Sequence, residues 1–169
     1  MEISFKLILF VVTIFLTGLT AGLCFTWGNA VTPGLSRLDD LGYLQAFQAM
    51  NRAIINPTFL IVFMGPTLLH IINVFLFKNT SEFNLVLIIS AAVLYFFGLF
   101  LVTVLGNVPI NEILDNTDLL TATAEELAGL REQFEVRWSR FHMVRTISAS
   151  LSFILLIISL ALSTKIINI

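Results

Sequence analysis

Five side chains at helical spacing are the part of this sequence best suited to chemistry. They recur at intervals of 4, 3, 4 and 3 residues, which puts them on one face of a helix: Arg131, Glu135, Trp138, His142 and Arg145. An imidazole exchanges protons near neutral pH, and a guanidinium stabilises a developing negative charge. The pattern therefore predicts proton transfer and anion binding, with His142 and Arg145 as catalytic candidates and Trp138 as a cavity wall.

A structural interpretation of the same face stays open. Arg131 and Glu135 can pair along a helix surface, and a tryptophan at a helix end can anchor a bundle at the lipid headgroups. We favour this interpretation for Arg131 and Glu135. His142 and Arg145 fall at or just inside a membrane boundary, where ionisable groups are costly unless they are paired or face a polar cavity. For these two residues, structural and functional roles are both open.

Three asparagines are candidates for binding a substrate oxygen. Asn107 and Asn111 flank Pro109, where a turn is the simpler interpretation, and Asn51 precedes the second apolar run. If four spans alternate in direction, the first and third connections emerge on the same face of the membrane. The three amides could then converge with His142 and Arg145.

Four long apolar runs explain why these polar groups stand out. They cover Leu7–Phe25, Ile54–Phe77, Leu85–Leu105 and Ile147–Leu162. The first three reach the ~20 residues needed to cross a bilayer core of about 30 Å. Mean hydropathy is +0.95 and only 12% of residues are charged. We predict an all-α protein, an integral membrane antiparallel four-helix bundle forming one domain over residues 1–169, with spans at about 5–26, 54–77, 84–105 and 143–163.

Both long connections carry helix signals, which predict a helical cap on one side of the bundle. In the first, the chain leaves the bilayer at 26–29, turns at Pro33-Gly34, and begins a helix at a capping box formed by Ser36 and Asp39. In the third, a turn at 106–111 precedes a second capping box, Thr123 with Glu126. One helix should run from about residue 124 into the fourth span.

Composition and spacing exclude several classes of function. The formal net charge of −2 argues against nucleic acid, and the single cysteine, Cys24, excludes an internal disulfide. His70 lies about 24 Å beyond the start of the second span, at the opposite end from His142, so the two cannot share a haem. No glutamate is followed three residues later by histidine, as a di-iron bundle requires. We expect no metal and no cofactor.

These segments together resemble the anthrone oxygenase family, a group of small four-span membrane proteins otherwise described as a domain of unknown function. The resemblance covers nearly the whole chain and rests on Gly18–Gly22, Pro33-Gly34, Met50-Asn51, Pro57, Asn107–Asn111 and Trp138–Thr146. Many relatives resemble Trp-x-x-Trp-Asn in the last segment, where this chain has Phe141-His142.

The resemblance implies oxidation of an anthrone to an anthraquinone by O₂ without metal or flavin. In that reaction His142 would take a proton and Arg145 would stabilise the oxyanion. Asn107 or Asn111, joined by Asn51, would orient the substrate oxygen. Trp138 and Phe141 would stack against a flat ring. The implied partners are the lipid bilayer and a hydrophobic aromatic or quinone-like molecule, in the bacterial inner (plasma) membrane.

A second class of function has equal weight. The chain could be a non-catalytic membrane subunit or a lipid- or quinone-binding module, working as a homo-oligomer or with a membrane-complex partner. A transporter ranks third, because so short a chain shows no inverted repeat. A cavity lined by Trp138, His142, Arg145 and the asparagines would favour the enzyme, whereas a plugged bundle with outward-facing polar groups would favour the subunit.

Overall fold

Five helices make up the protein in a computed structural model that describes residues 4–167, with side chains through residue 163. They are α1 (Phe5–Leu35), α2 (Asp40–Ile54), α3 (Pro57–Leu76), α4 (Glu82–Asp115) and α5 (Ala124–Ile167). All except α2 are long and apolar enough to cross a membrane. Residues 4–167 contain no strand. The prediction of an all-α integral membrane bundle is confirmed.

The four long helices pack as antiparallel neighbours. Helix α1 contacts α3 and α5, and α4 contacts α5 and α3. Consecutive spanning helices run in opposite directions. The C-terminal ends of α1 and α4 therefore meet the N-terminal ends of α3 and α5. The short helix α2 lies at that end, against α5 and α4.

Glycines let the first and third spanning helices approach α5 closely. A Cβ added at Gly18 would lie 2.8 Å from the Phe153 ring, and one at Gly98 would overlap the side chain of Ser148. Small residues at such crossings are the usual means of packing helices in lipid. Both of these close helix crossings therefore involve α5, which packs against α1 and α4.

Pro66 lies inside α3, where it removes the N–H that would bond to the Val62 carbonyl. The Thr20 hydroxyl of α1 donates to that carbonyl at 2.9 Å. The next carbonyl, Phe63 O, accepts from the Tyr95 hydroxyl of α4 at 2.9 Å. A neighbouring helix thus satisfies the carbonyl that proline frees, as an apolar environment requires, and α3 is continuous through Pro66.

Arg131 fixes the cap to α5. Its guanidinium donates to the carbonyls of Ser36 and Leu38 at 2.9 and 2.8 Å, and pairs with Asp40 and Glu135 at 2.9 and 3.2 Å. It also lies 4.5 Å over the Tyr43 ring. Burial, followed by the Glu135 carboxylate, raises the pKa of Tyr43 well above its usual range, against the opposing effect of Arg131. The contacts of Arg131 and Glu135 are therefore those of structural residues, which join the cap to α5.

The chain departs from the predicted connections at two helix ends. Helix α1 continues past residue 26 through a π-helical segment, Trp27–Val31, to Leu35, so Pro33-Gly34 is helical and not a turn. Helix α4 likewise continues through Leu94–Leu101 and Thr103–Asn107, both π-helical, to Asp115. In each case the proline lies at the start of the short α-helical stretch that follows the π-helical segment.

The capping predictions had mixed outcomes. Thr123 and Glu126 form the expected reciprocal box, with Thr123 N–H donating to Glu126 Oε2 at 2.8 Å, and α5 begins at the next residue. At α2 the prediction was wrong, because Asp39 caps the helix by accepting from Gly42 N–H at 2.8 Å. Ser36 donates instead to the Pro33 carbonyl.

Gly98→Ala should destabilise the bundle, since its Cβ would meet Ser148 with no room to shift. We expect a loss of about 1–3 kcal/mol, the usual range for overpacking, measured by thermal unfolding in lipid nanodiscs. Gly22→Ala is the matched control, because an added Cβ there has no atom within 4 Å. Ser148→Gly should restore the stability of Gly98→Ala. Equal unfolding temperatures for the two glycine variants would contradict the packing argument.

Candidate functional site

A cavity of about 270 Å³ lies between the cap and the bundle, and all five helices line it. The lining is mostly apolar, with a few polar groups from α2, α4 and α5. Its residues are Leu23, Cys24, Trp27, Asn51, Arg52, Ile54, Ile55, Phe59, Phe63, Thr103, Val108, Asn111, Glu112, Asp115, Trp138, His142 and Arg145. An apolar pocket with a few convergent polar groups is the usual form of a small-molecule site.

Two arginines line this cavity, and Arg145 is the one that forms no ion pair with a described carboxylate. Its Nη2 donates to His142 Nδ1 at 2.8 Å and its Nη1 donates to the Thr103 hydroxyl at 3.3 Å. Its Nε is buried without a partner. Among the side chains described, no carboxylate oxygen lies within 4.0 Å of the guanidinium. A buried positive charge held only by neutral groups has unused capacity for an anion.

His142 is fixed by contacts at both ring nitrogens. Nε2 lies 3.0 Å from the Cys24 carbonyl, which can only accept, so Nε2 carries the proton and donates. Nδ1 accepts from Arg145, so it presents a lone pair. The imidazole is therefore neutral, and it is 5% exposed. Its ring stacks on Trp138 with centroids 4.7 Å apart and planes 15° apart.

Two indoles form an aromatic wall beside the Arg145–His142 pair. Trp138 lies 6.2 Å from Trp27 between ring centroids, and Arg145 is 5.5 Å from the Trp138 centroid. Both indole N–H groups are buried without a partner. Phe47 packs edge-on against both rings from the cap side. The wall is thus held by the core of the cap, and a flat molecule could lie against it.

Polar groups from α2 and α4 complete the lining. Asn51 Nδ2 and Asn111 Oδ1 are buried without a partner. Arg52 pairs with Asp115 at 2.6 Å, joining α2 to the end of α4. Glu112, exposed to solvent, has no side-chain hydrogen bond or ion pair among the described residues. Arg52, Glu112 and Asp115 are exposed to solvent, so they mark the mouth of the cavity.

The structure brings together five of the seven residues selected from the sequence: Asn51, Asn111, Trp138, His142 and Arg145 all line the cavity. The other two lie behind it. Asn107, 1% exposed, donates to the Trp138 carbonyl at 3.2 Å. Phe141 packs on Gly106, where an added Cβ would lie 2.8 Å from its ring. These two side chains support the helices that carry the site.

Sequence reasoning missed several polar or aromatic contributors, among them Trp27, Thr103, Glu112 and the carbonyl of Cys24. Trp27 lies in the segment where the sequence predicts that the chain leaves the bilayer. Thr103 lies in an apolar run and begins the second π-helical segment of α4, which the sequence did not predict. Glu112 follows Asn111 directly and so gave no signal of its own, because adjacent residues of a helix point about 100° apart.

His70 lies outside this site. Its Nε2 is 3.3 Å from the Thr17 hydroxyl and 3.4 Å from the Ser152 hydroxyl, deep in the bundle. Ser152 follows His142 by ten residues on α5, which separates them by about 15 Å. No group of three or more His, Cys, Asp or Glu suited to a metal occurs among the described residues.

Comparison with known protein families matches residues 47–155 to the family described as Anthrone oxygenase. The matched segment includes the seven cavity-lining residues that α4 and α5 supply from Val108 onward, and Asn51 of α2. No curated protein matches the chain, and no solved structure matches it.

Replacing Arg131 or Arg145 of α5 by methionine should change the free energy of unfolding in opposite directions. Arg131→Met removes hydrogen bonds to two carbonyls and two carboxylates, and we expect a loss of about 2–3 kcal/mol of unfolding free energy. Arg145→Met removes a buried charge that has no carboxylate partner, and we expect a gain of about 1 kcal/mol. Thermal unfolding in nanodiscs measures both. A large loss for Arg145→Met would show that the charge is compensated.

Proposed function

Because this chain belongs to the anthrone oxygenase family, we propose that its cavity oxidises a flat, hydrophobic hydroxyaromatic molecule with O₂. The observation that carries the proposal is the Arg145 guanidinium, buried against an apolar cavity and held only by neutral groups. Such a group stabilises an anion that forms during a reaction better than water does, because its orientation is fixed in advance.

The cavity suits a small fused-ring molecule. Its volume of about 270 Å³ is close to the lower end of small-molecule pockets, roughly 300–1,000 Å³. A flat ring would lie against the indoles of Trp27 and Trp138, and Phe59 and Phe63 line the wall that α3 supplies. Its oxygen would face Arg145, with the Asn51 and Asn111 amides available for a second oxygen.

The chemistry that follows is oxidation of an electron-rich anion. Loss of a proton from the ring methylene gives an enolate, whose negative oxygen Arg145 would stabilise. The enolate reacts with O₂ at the same carbon, and the resulting peroxide anion takes up a proton to give a hydroperoxide. Loss of water then leaves one oxygen atom of O₂ as the new carbonyl. The substrate carbon is oxidised, and the two atoms of O₂ end in the carbonyl and in water, with no further reductant.

In this proposal His142 and Arg145 act as a pair. A substrate oxygen that takes over the Nη2 N–H bonded to His142 Nδ1 would free that nitrogen. Substrate binding would therefore release a lone pair on an imidazole whose other nitrogen stays fixed by the Cys24 carbonyl. A freed Nδ1 could accept the substrate proton. While Arg145 stays in place, His142 instead positions the guanidinium.

Asn107 and Phe141 would contribute as positioning residues. Asn107 bonds to the backbone of α5 at Trp138, and Phe141 sets the distance between α5 and Gly106 of α4. Both therefore determine where Trp138 and His142 lie relative to α4. Their substitution would change the shape of the cavity without removing a group from it.

We place the protein in the bacterial inner membrane, since helical bundles of this kind belong to bilayers other than the barrel-dominated outer membrane. The exposed apolar residues Ile55 and Leu105 are 71% and 73% exposed at the cap end of the spans, which suits contact with lipid. The bilayer would supply the hydrophobic substrate. A quinone-binding module that holds the same ring without O₂ uptake is the competing function.

The test is oxygen consumption by the full-length protein in lipid nanodiscs with anthrone as substrate. We expect equimolar loss of O₂ and gain of anthraquinone, faster than in protein-free nanodiscs. Arg145→Gln should reduce turnover by about 10²–10³-fold, as removal of an oxyanion donor does. Arg140→Gln is the matched control, because Arg140 is an exposed arginine of the same helix outside the cavity.

Two results would count against the proposal. Anthrone oxidation at the protein-free rate, with anthraquinone still bound tightly, would assign the cavity to a binding module. Undiminished turnover by Arg145→Gln would remove the guanidinium from the mechanism.

A further inference from the structure

We propose that Glu112 is the general base that removes the proton from the substrate carbon and passes it to water at the cavity mouth. The inference rests on the proposed function, which needs a proton acceptor while Arg145 holds the oxyanion. It adds a residue that the Arg145–His142 pair does not supply.

Six ionisable groups line the cavity: Cys24 from α1, Arg52 from α2, Glu112 and Asp115 from α4, and His142 and Arg145 from α5. The two arginines are permanently protonated. Asp115 is bound to Arg52 at 2.6 Å. Cys24 is a buried free thiol, which already carries its proton. Two candidates remain, an imidazole and a carboxylate.

In the free protein, both ring nitrogens of His142 already form hydrogen bonds with neighbouring groups. Its Nε2–H bonds to the Cys24 carbonyl and its Nδ1 lone pair accepts from Arg145. Protonating Nδ1 would direct a new N–H at the guanidinium and break the bond that positions it. The carboxylate of Glu112 has no hydrogen bond or ion pair with any described side chain, so it can accept a proton without breaking a contact.

The position of Glu112 suits proton exchange between the cavity and solvent. Val108, Asn111, Glu112 and Asp115 all line the cavity, which their spacing puts on one face of the last segment of α4. Glu112 is also exposed to solvent. A residue that lines the cavity and meets water can release to bulk solvent the proton it takes from a bound molecule.

Two different groups would then stabilise the enolate and accept the proton that this step produces. The C–H bond breaks, its electron pair stays on the substrate as an enolate, and the proton goes to a Glu112 carboxylate oxygen. The enolate pairs with Arg145, and Glu112 becomes neutral until water removes the proton. No electron leaves the substrate in this step, so O₂ is needed only afterwards.

Chemical rescue provides the test, in the full-length protein in nanodiscs with anthrone and O₂. We expect Glu112→Ala to reduce turnover by about 10²–10³-fold, within the usual contribution of a general base. Added formate should restore turnover in proportion to its concentration. Anthrone deuterated at the methylene should show a larger isotope effect with the variant, because proton removal then limits the rate. Binding of anthraquinone should be unchanged.

Glu125→Gln is the matched control, since Glu125 is an exposed carboxylate in the first turn of α5, outside the cavity. It should retain wild-type turnover. Wild-type turnover by Glu112→Ala would overturn this inference and leave the proposed oxidation intact. A slow variant that formate does not rescue would also overturn it, by assigning Glu112 a structural role. No oxidation by the wild-type protein would instead reject the proposed function itself.

Discussion

A positive charge without a carboxylate partner is the constraint on which this end of the bundle depends. Arg145 is held by an imidazole, a hydroxyl and an indole face, and none of these carries a compensating charge. Two of these groups are themselves fixed from another helix: His142 by the Cys24 carbonyl of α1, and Trp138 through its backbone by Asn107 of α4. The charge is therefore kept in place by contacts from three helices, which preorganise it for a ligand.

The other half of the bundle uses neutral polar groups for a different purpose. There, the hydroxyl of Thr20 binds the Val62 carbonyl that Pro66 leaves free, Tyr95 donates to the Phe63 carbonyl, and Ser152 donates to the Ala91 carbonyl at 2.8 Å. These are bonds from side chains to backbone, which link adjacent helices in a medium where unpaired polar groups are costly. Polar groups in that half stabilise the bundle, whereas those beside the cavity leave several N–H groups unpaired.

The sequence was sufficient for features that depend on local composition. Apolar runs predicted the spanning helices, the Thr123–Glu126 pair predicted the start of α5, and helical spacing placed Trp138, His142 and Arg145 together. It was insufficient where packing decides. Proline and glycine are compatible with both a turn and a continuing helix, so the extensions of α1 and α4 could not be recognised. Spacing also could not show that Asn107 faces the α5 backbone while Asn111 faces the cavity, because neighbouring helices determine that difference.

The π-helical segments of α4 have a consequence for how related sequences are aligned. Each wide turn accommodates one residue more than an α-helical turn, and one residue corresponds to about 100° of rotation around the axis. Leu94–Leu101 and Thr103–Asn107 therefore set the angular position of the segment that carries Asn111 and Glu112. A relative that lacks one of these wide turns could keep the same cavity with one residue fewer between Tyr95 and Asn107. A single-residue gap there would mark a local change in winding, with the surrounding fold preserved.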